Sequence, residues 1–161
     1  MDNKEYTLEK ISYSRKEDCR IMESVLKVWF QDPKTLNLVS PYLTYPFNFR
    51  DWLSKSYSDS QFRIISLVIK KEGWIVGHVS YRIEKYKVYI FHLIIDKNYR
   101  RLGLAKKLIC KVEEFCRDKQ KTIILNIFKK NKEAIDFFIN LNYTITKSKN
   151  TKIIKMRSEE R

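Results

Sequence analysis

Glycine, alanine, proline and cysteine are all scarce in this chain of 161 residues, which holds three Gly, two Ala, three Pro and three Cys. Gly73, Gly77 and Gly103 form neither Gly-x-x-x-x-Gly-Lys-Ser/Thr nor Gly-x-Gly-x-x-Gly, so both common glycine-rich nucleotide loops are excluded. Cys19, Cys110 and Cys116 are odd in number and lack Cys-x-x-Cys spacing. They read as buried free thiols of a reducing cytoplasm, not as a nucleophile or metal ligands, and no metal is expected. No stretch approaches the roughly eighteen consecutive apolar residues of a membrane span, and Met1 opens onto Asp2-Asn3-Lys4-Glu5, so no membrane segment or signal peptide is expected either. Acidic residues are few: 19 Asp and Glu against 33 Lys and Arg leave a net charge of +14. The excess is mostly lysine, 23 against 10 Arg, beside 19 Ile, which has the look of a low-GC coding bias. Lysines occur in every segment, without a dense run beyond pairs such as Lys129-Lys130. That spread argues against a specific nucleic-acid site and favours attraction of small anionic ligands.

Residues 1–161 suit one domain with a two-sided core. Residues 6–11 alternate as a first strand. Ser14-x-x-Glu17 has the form of a capping box, and Ile21, Met22, Val25, Leu26 and Trp29 follow at helical spacing until Asp32-Pro33. Segment 39–52 is rich in aromatics (Tyr42, Tyr45, Phe47, Phe49, Trp52) and serves either as a core lid or as the wall of a substrate groove. Asn48 caps a short helix over 49–57. Strands are predicted at 62–70, 74–82 and 87–95, with Lys71-Glu72-Gly73 as a tight hairpin and Glu84-Lys85-Tyr86 as the next turn. A helix to about residue 119 and a buried strand over 122–128 follow. Asn131 caps a helix that ends at Asn142, and residues 144–148 and 152–156 form a last hairpin before a frayed tail from Ser158. No internal repeat, linker or low-complexity segment interrupts the order.

The chain turns on the joint between strand 87–95 and the next helix, which carries Arg100-x-x-Gly103-x-Ala105. A strand that breaks into a helix through a small-residue turn presents several backbone N–H groups and the positive end of the helix dipole. That is an anion site suited to a pyrophosphate. Ile95-Asp96-x-x-Tyr99-Arg100-x-x-Gly103-x-Ala105-x-x-Leu108 resembles the first motif of the Gcn5-related N-acetyltransferases. Asn131-x-x-Ala134-Ile135-x-Phe137-Phe138-x-x-Leu141-Asn142-Tyr143, about thirty residues on, resembles their second.

That resemblance implies an α/β fold with a mixed central sheet of about seven strands and about four helices on both faces. It implies acetyl-CoA as co-substrate, with backbone atoms of Leu93, Ile94 and Ile95 along the pantetheine. Arg100, Arg101, Leu102, Gly103, Leu104, Ala105 and Lys106 would hold the pyrophosphate, and Asn131 and Phe138 would line the thioester channel. The reaction would move an acetyl group to a primary amine, a peptide α-amine or a small amine, by direct attack, in a cytoplasmic monomer or homodimer. Two departures stand out. The family's frequent acid is a tyrosine where this chain has Phe138, and the usual glutamate base falls at Asn126 on one strand or at Tyr89 and Phe91 on the other. His92 is a stand-in base on the right strand, although strict alternation turns it away from Phe91. Asn126 can hold a water chain. A catalytically weak acyl-CoA-binding module is the competing reading.

Overall fold

A computed structural model describes residues 5–59, 61–146 and 152–158. The elements run β1 (Tyr6–Ile11), α1 (Lys16–Trp29), α2 (Pro33–Val39), α3 (Phe49–Ser56), β2 (Arg63–Lys71), β3 (Trp74–Ile83) and β4 (Lys87–Ile95). A 3-10 turn (Lys97–Tyr99) leads to α4 (Leu104–Asp118), β5 (Thr122–Phe128), α5 (Lys132–Asn140), β6 (Tyr143–Thr146) and β7 (Ile153–Ser158). The seven strands form one sheet in the order β1-β2-β3-β4-β5-β7-β6. All neighbours are antiparallel except β4 and β5, whose parallel pairing needs the α4 crossover.

Helices cover both faces. Leu104, Leu108, Ile109 and Val112 of α4 and Phe138 of α5 pack with Val79, Tyr81, Val88 and Ile90 on one side. Met22, Leu26, Leu36 and Trp52 of α1, α2 and α3 pack with Val68 and Ile94 on the other. Because both faces are covered, the middle of β2 and β3 is buried without alternation. Each fully buried aliphatic side chain contributes roughly 1.5–3 kcal/mol.

One helix lies beyond the expected set. Pro33 ends α1, but Asp32 accepts from the Thr35 N–H at 2.8 Å and caps α2 with proline in its first turn. The expected Ser14-x-x-Glu17 capping box does not form. Arg15 sits at the N-cap without a side-chain bond, Glu17 pairs with Arg20 at 2.6 Å, and Asp18 accepts from the Ser12 N–H at 2.9 Å. Asn48 and Asn131 do cap their helices, and Glu72 and Gly73 turn the first hairpin at φ 51° and 83°. Cys110 is exposed rather than buried, whereas Cys116 is buried and its thiol is pushed up to about 12. Ser158 closes β7, and its hydroxyl accepts from the Ile123 N–H at 3.0 Å. Residues 147–151 of the expected last hairpin and the tail 159–161 lie outside the described residues.

Strand β4 contains a bulge. Phe91 pairs with Ser80 and Ile94 with His78, so His92 and Leu93 together oppose Val79, and His92 has φ 53°. The extra residue inverts the alternation: Ile90 packs beneath α4 and α5, while Ile94 packs beneath α1 to α3. His92 therefore does not face away from Phe91. Their rings are 4.9 Å apart, and both contact Tyr57.

Candidate active site

Pairing between β4 and β5 starts at Lys87 with Thr122 and stops at Ile90 with Leu125, although β4 runs on to Ile95 and β5 to Phe128. Beyond that point β4 stays paired to β3 and β5 to β7, so their facing edges lie open. The split opens into a cavity of about 450 Å³, the size of a small-ligand site. Phe91, His92 and Leu93 line it from β4, Asn126 from β5, and Asn131 and Phe138 from α5 and its cap.

The joint after β4 presents unsatisfied donors. Gly103 is the N-cap of α4 at φ 78°, has no side chain to cap with, and leaves the first-turn N–H groups of Leu104, Ala105 and Lys106 open. No acidic residue occupies that turn, and Arg101 sits two residues before the cap in the left-handed region at φ 62°. A Cβ on Gly103 would meet no atom within 4 Å, so its glycine answers to backbone conformation, not to crowding. Side chains around the joint are partly committed. Arg100 Nε donates to the Ile95 carbonyl at 3.1 Å, and Asp96 accepts from Trp29 Nε1 at 3.2 Å, tying α1 to the turn.

The opposite wall comes from the α2–α3 region. Ser40, Pro41 and Tyr42 line the cavity after α2, and Lys55, Ser56 and Asp59 line it from α3 onward. Trp52 and Phe47 belong to the core instead, so the aromatic segment divides between lid and wall. Arg82 lies 4.8 Å above the Tyr89 ring and 3.5 Å from Glu84. Tyr89 accepts from Asn126 Nδ2 at 3.1 Å, and burial pushes its phenol above the ordinary value against the smaller effect of that bond. Phe138 is buried, edge-on to Tyr143, and carries no hydroxyl. Tyr45 and Tyr143 lie outside the lining, and their hydroxyls donate to the Gln31 carbonyl and to Glu113.

Behind the wall runs a buried polar network. His78 Nδ1 is 2.8 Å from the His92 carbonyl, so Nδ1 carries the proton and Nε2 accepts from the Tyr13 hydroxyl at 2.8 Å. His92 lies stacked on Trp52 at 3.8 Å, with Nδ1 2.8 Å from the Tyr57 hydroxyl and Nε2 3.2 Å from Ser40 Oγ. Tyr57 continues to Ser80 at 2.8 Å and Ser80 to Ser66 at 2.7 Å. Burial holds both imidazoles neutral, His78 at about 4 and His92 well below the ordinary histidine value. A left-handed histidine inside a strand is strained, and these contacts hold it there.

Of the residues singled out from sequence, Leu93, Asn126, Asn131, Phe138 and His92 meet at the cavity. Ile94 and Ile95, each paired to β3, lie outside its lining, and so do Arg100, Arg101, Leu102, Gly103, Leu104, Ala105 and Lys106. Sequence reasoning missed Ser40, Lys55, Tyr57 and Arg82. Each lay within an expected element, Ser40 in segment 39–52, Lys55 and Tyr57 in helix 49–57 and Arg82 in strand 74–82, but no local pattern singled any of them out.

A mixed sheet split between two parallel strands, followed in the chain by a helix that starts uncapped, is the frame of an acetyl-CoA-dependent acyltransferase. The acetyltransferase (GNAT) family model matches residues 24–143, and the chain belongs to that family. Acetyl-CoA is its co-substrate. The fold is similar to the GNAT domain of PAT from S. lividans, with TM-score 0.76 and 12% identity over 93% of this chain and 88% of that one. It is also similar to the PaiA N-acetyltransferase of Thermoplasma acidophilum in complex with coenzyme A, at TM-score 0.72 and 14% identity over 96% and 98%. Arabidopsis thaliana Naa50 in complex with the bisubstrate analogue CoA-Ac-MVNAL gives TM-score 0.66 and 17% identity over 96% and 99%. No curated protein matches the chain in sequence. At these identities the likeness concerns the fold.

Proposed function

We propose that the chain moves an acetyl group from acetyl-CoA to a primary amine, a peptide α-amine or a small amine, by direct attack. One observation carries the reading: β4 and β5 part beyond Ile90 and Leu125 over a cavity walled on its far side by α2 and α3, and the helix that follows β4 starts without a side-chain cap. The first-turn N–H groups of Leu104, Ala105 and Lys106 suit a pyrophosphate, and so do the backbone of Arg100, Leu102 and Gly103 and the cation of Arg101. The open edge of β4 at Leu93, Ile94 and Ile95 suits the amide-bearing pantetheine, with Asn131 and Phe138 beside the thioester. When bound, acetyl-CoA would supply an activated acyl carbonyl, and a β4 backbone N–H, that of Ile94 or Ile95, would stabilise its oxyanion.

Asn126 and Tyr89 form a neutral hydrogen-bonding pair that orients the amine or a water beside it. Neither is a base near neutral pH. Tyr42, Pro41 and the apolar faces of Leu38 and Ile64 line the acceptor side and suit a peptide. The Naa50 ligand, a CoA joined through acetyl to a peptide, shows such an occupant in a related fold. Lys55 and Arg82 at the same wall disfavour polycationic acceptors.

A second reading, a catalytically weak acyl-CoA-binding module, rests on Phe138 lacking a hydroxyl at the cavity. Calorimetry at physiological salt tests the first half of the proposal: acetyl-CoA binds and ATP, as a polyanion control, does not. A hundredfold excess over Kd also raises stability by about 2.7 kcal/mol. Turnover on a panel of peptides and small amines then separates enzyme from binding module. Equal binding of acetyl-CoA and ATP that fades with salt would overturn both readings.

A further inference from the structure

If the chain transfers acetyl groups to amines, the acceptor's ammonium must lose a proton before its lone pair can attack. Neither β4 nor β5 carries a carboxylate. Among the described residues lining the cavity, Asp59 is the only carboxylate and His92 the only imidazole. Asp59 is exposed beyond the end of α3, where its carboxylate accepts from the Gln61 N–H at 2.9 Å. His92 lies at the floor, and Ser40 Oγ is 3.2 Å from its Nε2.

We propose that Ser40 and His92 form the proton-accepting pair of this site, the Ser40 hydroxyl taking the ammonium proton while its own proton passes to Nε2 of His92. The network behind His92 permits it. With the imidazole proton on Nδ1, that group donates to the Tyr57 hydroxyl, Tyr57 donates to Ser80, and Ser80 donates to Ser66, so every oxygen in the row is satisfied. Nε2 is then left as an acceptor for Ser40. The hydroxyl rotors also allow the reverse polarity, in which Nε2–H donates to Ser40, and the same bonds serve to return the proton. Stacking on Trp52 and the bond from His78 to the His92 carbonyl fix the ring against the wall. Burial lowers the imidazole's affinity for a proton, so it rests neutral with Nε2 unprotonated and holds a proton only briefly.

The protons balance. One N–H bond of the ammonium breaks, and its proton ends on His92 by way of Ser40. The nitrogen lone pair forms the C–N bond, the C–S bond breaks, and the second proton shed by nitrogen leaves with sulfur as thiol. His92 returns its proton through Ser40 to water when the product departs.

The test is Ser40→Ala beside Ser40→Thr, assayed with a pentapeptide bearing an α-amine. The Ser40 backbone, at φ −135° and ψ 88°, accepts a β-branched residue. The expected result is a fall in kcat of about a hundredfold for Ser40→Ala at pH 7. Acetyl-CoA affinity by calorimetry stays unchanged, and Ser40→Thr restores most of the rate. At pH 9, above the α-amine's ordinary pKa of about 7.7–8.0, the deficit of Ser40→Ala narrows, because the amine arrives deprotonated. Wild-type kcat in Ser40→Ala overturns the proposal, and so does a deficit as large at pH 9 as at pH 7. Loss of acetyl-CoA binding by the wild type would instead strike the functional reading on which this one rests.

Discussion

Acid should loosen this protein through its two imidazoles well before its carboxylates are protonated. His78 is held neutral at about 4 by burial, its Nδ1–H spent on the His92 carbonyl and its Nε2 on Tyr13. In the unfolded chain the same group titrates near the ordinary value of about 6.5. Below 6.5 the unfolded state binds a proton that the folded state refuses, so stability is full above that value and falls as pH drops toward 4. Between pH 6.5 and 5 the loss is about 2 kcal/mol from His78, and His92, shifted the same way, adds to it. Against a total of roughly 5–15 kcal/mol this is a large share. Urea unfolding followed by far-UV circular dichroism at pH 8 and pH 5 measures the gap. In His78→Gln the baseline falls, but the pH 8 to pH 5 gap should shrink by about 2 kcal/mol. A variant whose gap equals that of the wild type would refute the assignment of this acid sensitivity to His78.

Two more outcomes follow from the same geometry. Arg101 holds a left-handed φ of 62° where a glycine would sit without strain. Arg101→Gly should therefore gain about 1 kcal/mol, seen as a rise in Tm of about 2–4 °C, while weakening acetyl-CoA binding by loss of the cation. Phe138→Tyr puts a hydroxyl into the cavity; kcat rising on the order of tenfold would show that an acid was missing, and an unchanged kcat that the thiolate leaves without one.

Much of the architecture could be read from local chemistry. Glu72-Gly73, Asn48 and Asn131 act within a few residues of themselves, and the periodicity that placed β2 to β5 and α4 reflects burial that the final fold keeps. The joint proposed to hold acetyl-CoA was legible as structure for the same reason, since a strand, a turn and a helix start are contiguous. The acceptor half was not. Ser40, Tyr57 and His92 meet across 35 to 52 residues of chain, and no local pattern announces such a meeting. His92 was misdirected because alternation assumes that every residue of a strand is paired one to one. Helix α2 has a local signal too: Asp32-Pro33 reads as a stop, yet an aspartate before a proline is also a start.

The bulge at His92 gives β4 something like a reading frame. A loop such as the turn at Glu84-Lys85-Tyr86 can gain or lose a residue and shift only itself. Removing one residue at position 92 would restore strict alternation by leaving Leu93 alone opposite Val79, with Ile94 still opposite His78 and Ile95 opposite Gly77. Ile94 would stay beneath α1 to α3 and Ile95 beneath α4 and α5. The extra residue is therefore the one place where β4 can lose length and keep its register, and what that loss would remove is the His92 ring stacked on Trp52.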